Sequence, residues 1–119
     1  MTWLVVLGTL AAGSVGAVLR FVIQESLASR PASWIAVLIV NIAGSAFAGG
    51  FLALPATSWT GVLVVGFAGG LTTFSTLALQ LVRTPTGPKT SVLLGRALVH
   101  IVGAVAAALG AFHVVLFLT

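Results

Sequence analysis

The chain has 119 residues, of which 60% are hydrophobic and 5% charged, where ordinary soluble domains carry about 25% charged residues. That composition excludes a soluble catalytic domain, and the absence of cysteine excludes disulfides and thiolate metal sites. Five basic residues against one acid give a net charge of +4. The basic residues fall near expected membrane boundaries, where Lys and Arg anchor and orient helices, which argues against a nucleic-acid partner.

Three segments contain no charged residue: Thr2–Leu19, Pro31–Val82 and Ala97–Thr119. A membrane-spanning helix needs about 20 apolar residues, so the middle segment holds two spans and each outer one holds a third and a fourth. The expectation is an all-α membrane protein forming one transmembrane domain over residues 1–119. Its helices are expected at about 3–23, 33–54, 60–82 and 91–118. The first apolar run is too long for a signal-peptide core and lacks a basic leading segment, so it is read as a retained span.

In the first helix Gly8, Ala12 and Gly16 recur every four residues and place Arg20 on the same stripe. Small residues at that spacing let a second helix approach closely. Arg20 reads either as an interfacial snorkelling anchor or as a cation at a pore mouth. Gln24, Glu25 and Ser26 read as a solvated helix end. Arg30-Pro31 marks the first loop, because proline disfavours helix at the residue before it.

The second helix follows from about Ser33, an N-cap residue type, with Trp34 as an interfacial aromatic. Asn41 lies deep in this helix, where an unpaired amide is costly and must face protein or water. It reads as a helix–helix hydrogen bond or as an amide N–H offered to an anion. Gly44/Ala48 and Ser45/Gly49 are further small-residue packing positions.

After an uncharged turn from Pro55 to Thr60, the third helix carries Gly66-Phe67-Ala68-Gly69-Gly70-Leu71-Thr72-Thr73-Phe74-Ser75-Thr76, with three glycines and four hydroxyls in eleven residues. Glycine at this density weakens a helix. Backbone freed at membrane depth must be buried in protein or line a cavity. The helix is expected to break near Gly69–Thr72. The alternative is a tightly packed helix contact made of small residues. Arg83 to Thr90 is the longest polar connection, and the fourth helix begins near Ser91. His100 and His113 are too few and too far apart for a metal site, and each reads as a packed or interfacial histidine.

The polar loops and their neighbourhood hold Arg20, Arg30, Arg83, Lys89 and Arg96, while the side bearing both termini and the Pro55 turn has no Lys or Arg. The positive-inside rule then predicts cytoplasmic polar loops, both termini outside, and a multi-pass protein of the cell membrane.

One carboxylate, with no nucleophile–base motif and no phosphate loop, argues against an enzyme. A proton-coupled small-molecule exporter is one alternative, but it needs a titratable carboxylate within the membrane, and Glu25 sits at a boundary.

Gly13-Ser14-Val15-Gly16-Ala17-Val18-Leu19-Arg20-Phe21 resembles the first-helix motif of the Fluc (CrcB-type) fluoride channels. Asn41-Ile42-Ala43-Gly44-Ser45 resembles their second-helix motif, and Gly66 to Thr76 closely resembles their third-helix signature. The resemblance implies an antiparallel dimer that passes fluoride out of the cell down its electrochemical gradient, with a structural sodium ion at the dimer interface. It places the sodium ligands at the backbone carbonyls of Gly69 and Thr72. It implies Asn41 as pore amide, Phe74 as the aromatic whose ring edge faces fluoride, and Arg20 as vestibule cation. Thr72, Thr73, Ser75 or Thr76 would supply hydroxyls.

The sequence departs from the family pattern at Leu77, where a second phenylalanine is usual, and at Gln80, where glutamate is common. Between Val92 and Leu118 it also has no Ser, Thr or Tyr, and His100, Ala104 and Ala108 stand where hydroxyls are expected. Antiparallel identical subunits need nearly balanced loop charges. The strong bias here suggests a separate, oppositely oriented homologue as partner, with a non-conducting partner role as a further alternative.

Overall fold

The structure, a computed structural model, describes residues 2–28, 33–82 and 84–119. Four helical spans, Trp3–Leu27, Ser33–Leu52, Ser58–Gln80 and Thr90–Leu118, are each long and apolar enough to cross a membrane. They form a slab with principal extents of 50 × 31 × 22 Å. Large apolar side chains cover much of its outside, including Leu7, Val18, Ile101 and Leu116. In lipid such a surface needs no burial, and close packing with interhelical hydrogen bonds holds the helices together.

The helices associate as two pairs. The first runs along the third, and the second along the fourth, while the middle of the third span also touches the second helix. Small residues set the distances. A Cβ on Gly16 would run into the Phe67 carbonyl, and one on Gly70 into the Gly13 carbonyl. A Cβ on Gly66 would lie 2.7 Å from the Thr9 carbonyl oxygen. In the other pair a Cβ on Gly49 would strike the Ala108 backbone. The stripe from Gly8 to Arg20 is therefore the seam along which the third span lies.

Helix ends differ from the sequence expectation for local reasons. The first helix continues to Leu27, since Gln24, Glu25 and Ser26 are compatible with helix once outside the apolar layer. The second ends at Leu52, because Pro55 keeps Leu54 out of helix. Ser33 opens that helix as its first residue, and the residue before it lies outside the described ones. The third begins at Ser58, two residues early, because Thr57 caps it. The Thr57 hydroxyl accepts from the Thr60 amide at 3.1 Å, and the Thr57 amide donates to Thr60 Oγ1 at 3.3 Å. The Arg30-Pro31 loop signal and Arg83 lie outside the described residues.

The third span is interrupted. Ser58–Gly61 leads into a π-helical stretch, Val62–Ala68, then one turn of α-helix, Gly69–Leu71. Thr72 is extended, with φ −79° and ψ 156°, and helix resumes at Ser75–Gln80. Gly69 is itself helical, at φ −63° and ψ −38°. The break therefore falls on Thr72 to Phe74, at the C-terminal edge of the expected place. The glycines before it serve close packing against the first helix.

Gly16→Ala is expected to lower the thermal unfolding midpoint in detergent, since overpacking costs about 1–3 kcal/mol. Gly95→Ala, where a Cβ meets nothing within 4 Å, is expected to hold or raise it. Paired melting curves decide the point.

Candidate functional site: the break in the third span

Two side chains from other helices hold the break open. Asn41 Nδ2 donates to the Thr73 carbonyl at 3.0 Å, and the Thr73 amide donates to Asn41 Oδ1 at 2.7 Å. A primary amide presents a donor and an acceptor side by side, so it pairs with one residue's N–H and C=O as a neighbouring peptide would. From the first helix, Arg20 Nη1 donates to the Thr72 carbonyl at 2.9 Å. Buried backbone groups need partners, and these contacts supply them where the helix ladder stops.

The Thr73 hydroxyl restarts the helix. Its oxygen accepts from the Thr76 amide at 3.3 Å, in the manner of an N-cap. It also lies 3.1 Å from Thr76 Oγ1 and 3.3 Å from Ser75 Oγ. The Thr72 hydroxyl folds back to the Ala68 carbonyl at 3.0 Å. In an unbroken helix the Thr73 amide would serve the Gly69 carbonyl. Here that amide belongs to Asn41, and Gly69 O is left with a long 3.5 Å contact from Thr72 Oγ1.

Beside the break lies an open cleft of about 380 Å³, bounded by Asn41, Ser45, Thr73, Phe74, Leu77 and His100. Asn41 and Thr73 are buried, whereas Phe74 is 80% exposed. His100 is 3% exposed; its Nδ1 lies 2.9 Å from the Arg96 carbonyl, and its Nε2 is buried without a partner. The Arg96 guanidinium sits over the Trp34 ring, 5.0 Å from the centroid, a cation–π contact. Ala104 also borders the cleft, while Ala108 is spent on the Gly49 contact.

The family model described as CrcB-like protein, Camphor Resistance (CrcB), matches residues 7–112. The chain belongs to the CrcB family. This is the fluoride-channel family that its three motifs resemble, a family of channels and not of catalysts, and the chain is not an enzyme. Comparison with curated proteins returned no match.

Within this CrcB chain the residues singled out from sequence divide into three groups. Asn41, Thr73, Ser75 and Thr76 form one hydrogen-bonded cluster at the break. Arg20 and Thr72 join it from the side of the first helix. Phe74 and Gly69 belong to the same segment but are exposed on the chain's surface. Arg20 is half-buried, and its guanidinium is not free, since Nη1 donates to the Thr72 carbonyl. The orphaned Nε2 of His100 escaped the sequence reading. Its signal was there: a histidine on the face of the fourth helix where hydroxyls were expected.

Asn41→Leu is expected to remove both clamp bonds and leave Thr73 unsatisfied, at about 1–3 kcal/mol per buried group. Asn41→Asp retains the acceptor for the Thr73 amide. Hydrogen exchange at that amide is expected to accelerate strongly in the first variant and little in the second.

Proposed function

We propose that this protein is a subunit of a passive fluoride channel that lowers cytoplasmic fluoride by letting it flow out down its electrochemical gradient. The observation that carries the proposal is the pinned break beside the Asn41–Phe74 cleft, in a chain of the CrcB family. Fluoride is small and strongly hydrated, so a route through lipid must replace its water with donors. Asn41 Nδ2 keeps one N–H beyond the bond to Thr73, and Ser45, Thr73, Ser75 and Thr76 add hydroxyls. The edge of the Phe74 ring carries the positive end of its quadrupole and suits a bare anion.

The reading includes an antiparallel dimer. Support comes from Phe74 and Gly69, pore-type and ligand-type groups that a single chain leaves on its surface. The strong Lys/Arg bias favours an oppositely oriented homologue over a second copy as the partner, with the polar loops in the cytoplasm and both termini outside.

A structural sodium ion is part of the same proposal. The fit rests on the break: the Gly69 carbonyl has lost its helical partner, and the Thr72 carbonyl has left the ladder. Hard cations take such oxygens. The Thr72 oxygen already accepts from Arg20, and its second lone pair is the one available to a cation. Two carbonyls from one chain do not complete a shell, so a partner subunit would supply the rest. When bound, the ion would tie the two breaks together.

The test is fluoride efflux from liposomes holding the purified protein, with a potassium ionophore and chloride as control. Fluoride efflux without a proton gradient is expected, either from the protein alone or after addition of an oppositely oriented homologue. Phe74→Ile is expected to lower it by an order of magnitude or more while the dimer persists. Silence in both preparations would overturn the channel reading.

A further inference from the structure

We infer that the groove between the end of the third span and the start of the fourth binds an anionic phospholipid. Its phosphate sits at Lys89, and one acyl chain lies along Leu81, Leu93, Leu94 and Ala97. Binding here stands independently of the channel reading. The groove holds about 250 Å³ and is lined by those four apolar residues and Thr90. It runs along about the first two turns of the Thr90–Leu118 helix. Lys89, the residue before Thr90, borders a second hollow together with Thr84, Pro85, Gly87 and Pro88. Lys89 and Thr90 are exposed, Leu94 is 61% exposed, and Leu93 is buried. Along one helix the chemistry therefore changes in the order a phospholipid presents it: a cation and a hydroxyl first, then aliphatic side chains.

Packing and charge contribute separately. In a membrane an acyl chain gains nothing by hydrophobicity on meeting leucine, since lipid tails are equally apolar. A groove left empty, however, forfeits dispersion contacts along its walls. The chain that fills it supplies packing, with no preference among headgroups. Preference comes from charge. By sequence the connection from Arg83 to Thr90 holds two basic residues and no acid. A basic side chain at the membrane surface favours an anionic lipid by about fivefold. A zwitterionic headgroup carries its own ammonium, which Lys89 repels. Arg96 lies about two turns further along the helix and is held over Trp34, 5.0 Å from the ring centroid. The one carboxylate, Glu25, belongs to the first helix, which packs chiefly along the third span. A free phosphate would use Lys89 alone and leave the apolar walls bare. Leu81 and Ala97 also border the cleft beside the break. The bound chain therefore touches two residues that the cleft shares.

Native mass spectrometry of the detergent-solubilised protein, titrated with phosphatidylglycerol or with phosphatidylcholine of identical chains, measures the preference. Wild type is expected to retain phosphatidylglycerol at least about fivefold more tightly. Lys89→Gln is expected to lose most of that preference, and Lys89→Arg to keep it. Phosphatidylglycerol with a diazirine on one acyl chain is expected, on photolysis, to label peptides containing Leu81 and Leu93 to Ala97. Inorganic phosphate in large excess is expected to leave the lipid in place. Equal retention of the two lipids overturns the proposal, and so does a preference that Lys89→Gln keeps. Labelling confined to other helices overturns the groove as the site. Displacement by phosphate makes this a free-anion site and overturns the lipid. Lipid held by the monomer and absent from the dimer means that a partner subunit covers the groove, which overturns it equally.

Discussion

The two hydrogen bonds between Asn41 and the backbone of Thr73 are the constraint on which the rest of this protein depends. A helix in lipid normally closes its own ladder, because nothing outside it offers a partner. Here a single amide from the neighbouring helix captures one residue's N–H and C=O, and the ladder stops without leaving them orphaned. The consequences follow in order. Thr72 becomes extended, its carbonyl turns to Arg20, the Gly69 carbonyl loses its helical partner, and the Thr73 hydroxyl caps the helix that resumes. Every polar group singled out at the break is placed by that exchange.

The clamp works only if the second helix lies close to the break, and small residues provide the closeness. Gly44, one turn beyond Asn41, faces Thr72 so tightly that a Cβ there would meet its methyl group. On the other side, Gly16 and Gly70 bring the first helix near enough for Arg20 to reach the Thr72 carbonyl. Packing and chemistry are therefore one arrangement. Widening either seam would withdraw a hydrogen-bond partner from backbone that has no water to turn to.

Sequence made much of this legible, and the reasons differ by residue. The four spans could be read because charge is so rare in this chain that its absence over about 20 residues has one physical meaning. Asn41 was legible as a buried amide needing a partner, although which partner was not. That depends on register between helices, which periodicity does not fix. Glycine density alone points slightly too early for the break. Gly69 and Gly70 remain helical, and the interruption lies where Asn41 reaches. A glycine can permit a break, but at membrane depth a break forms where freed groups find partners. The Thr57 cap and the Arg20–Thr72 contact were hidden for the same reason: each is a hydrogen bond to a backbone group whose availability only the fold determines.

Arg20 shows how far the electrostatics extend beyond its own contact. A guanidinium is effectively always charged, and that of the half-buried Arg20 is screened less than it would be in bulk water. Bound to the Thr72 carbonyl, it places fixed positive charge on one side of the break, while Asn41 and the hydroxyls of Thr73, Ser75 and Thr76 gather on the segment that follows. The chain's only carboxylate, Glu25, is exposed near the end of the first helix. Under the channel proposal, that fixed charge beside the break would favour an anion before any specific donor is counted. It also opposes a second cation at the same carbonyl. A sodium ion shared with Thr72 would therefore need more oxygen ligands than one chain offers, which is a physical reason for two such chains to face each other at their breaks.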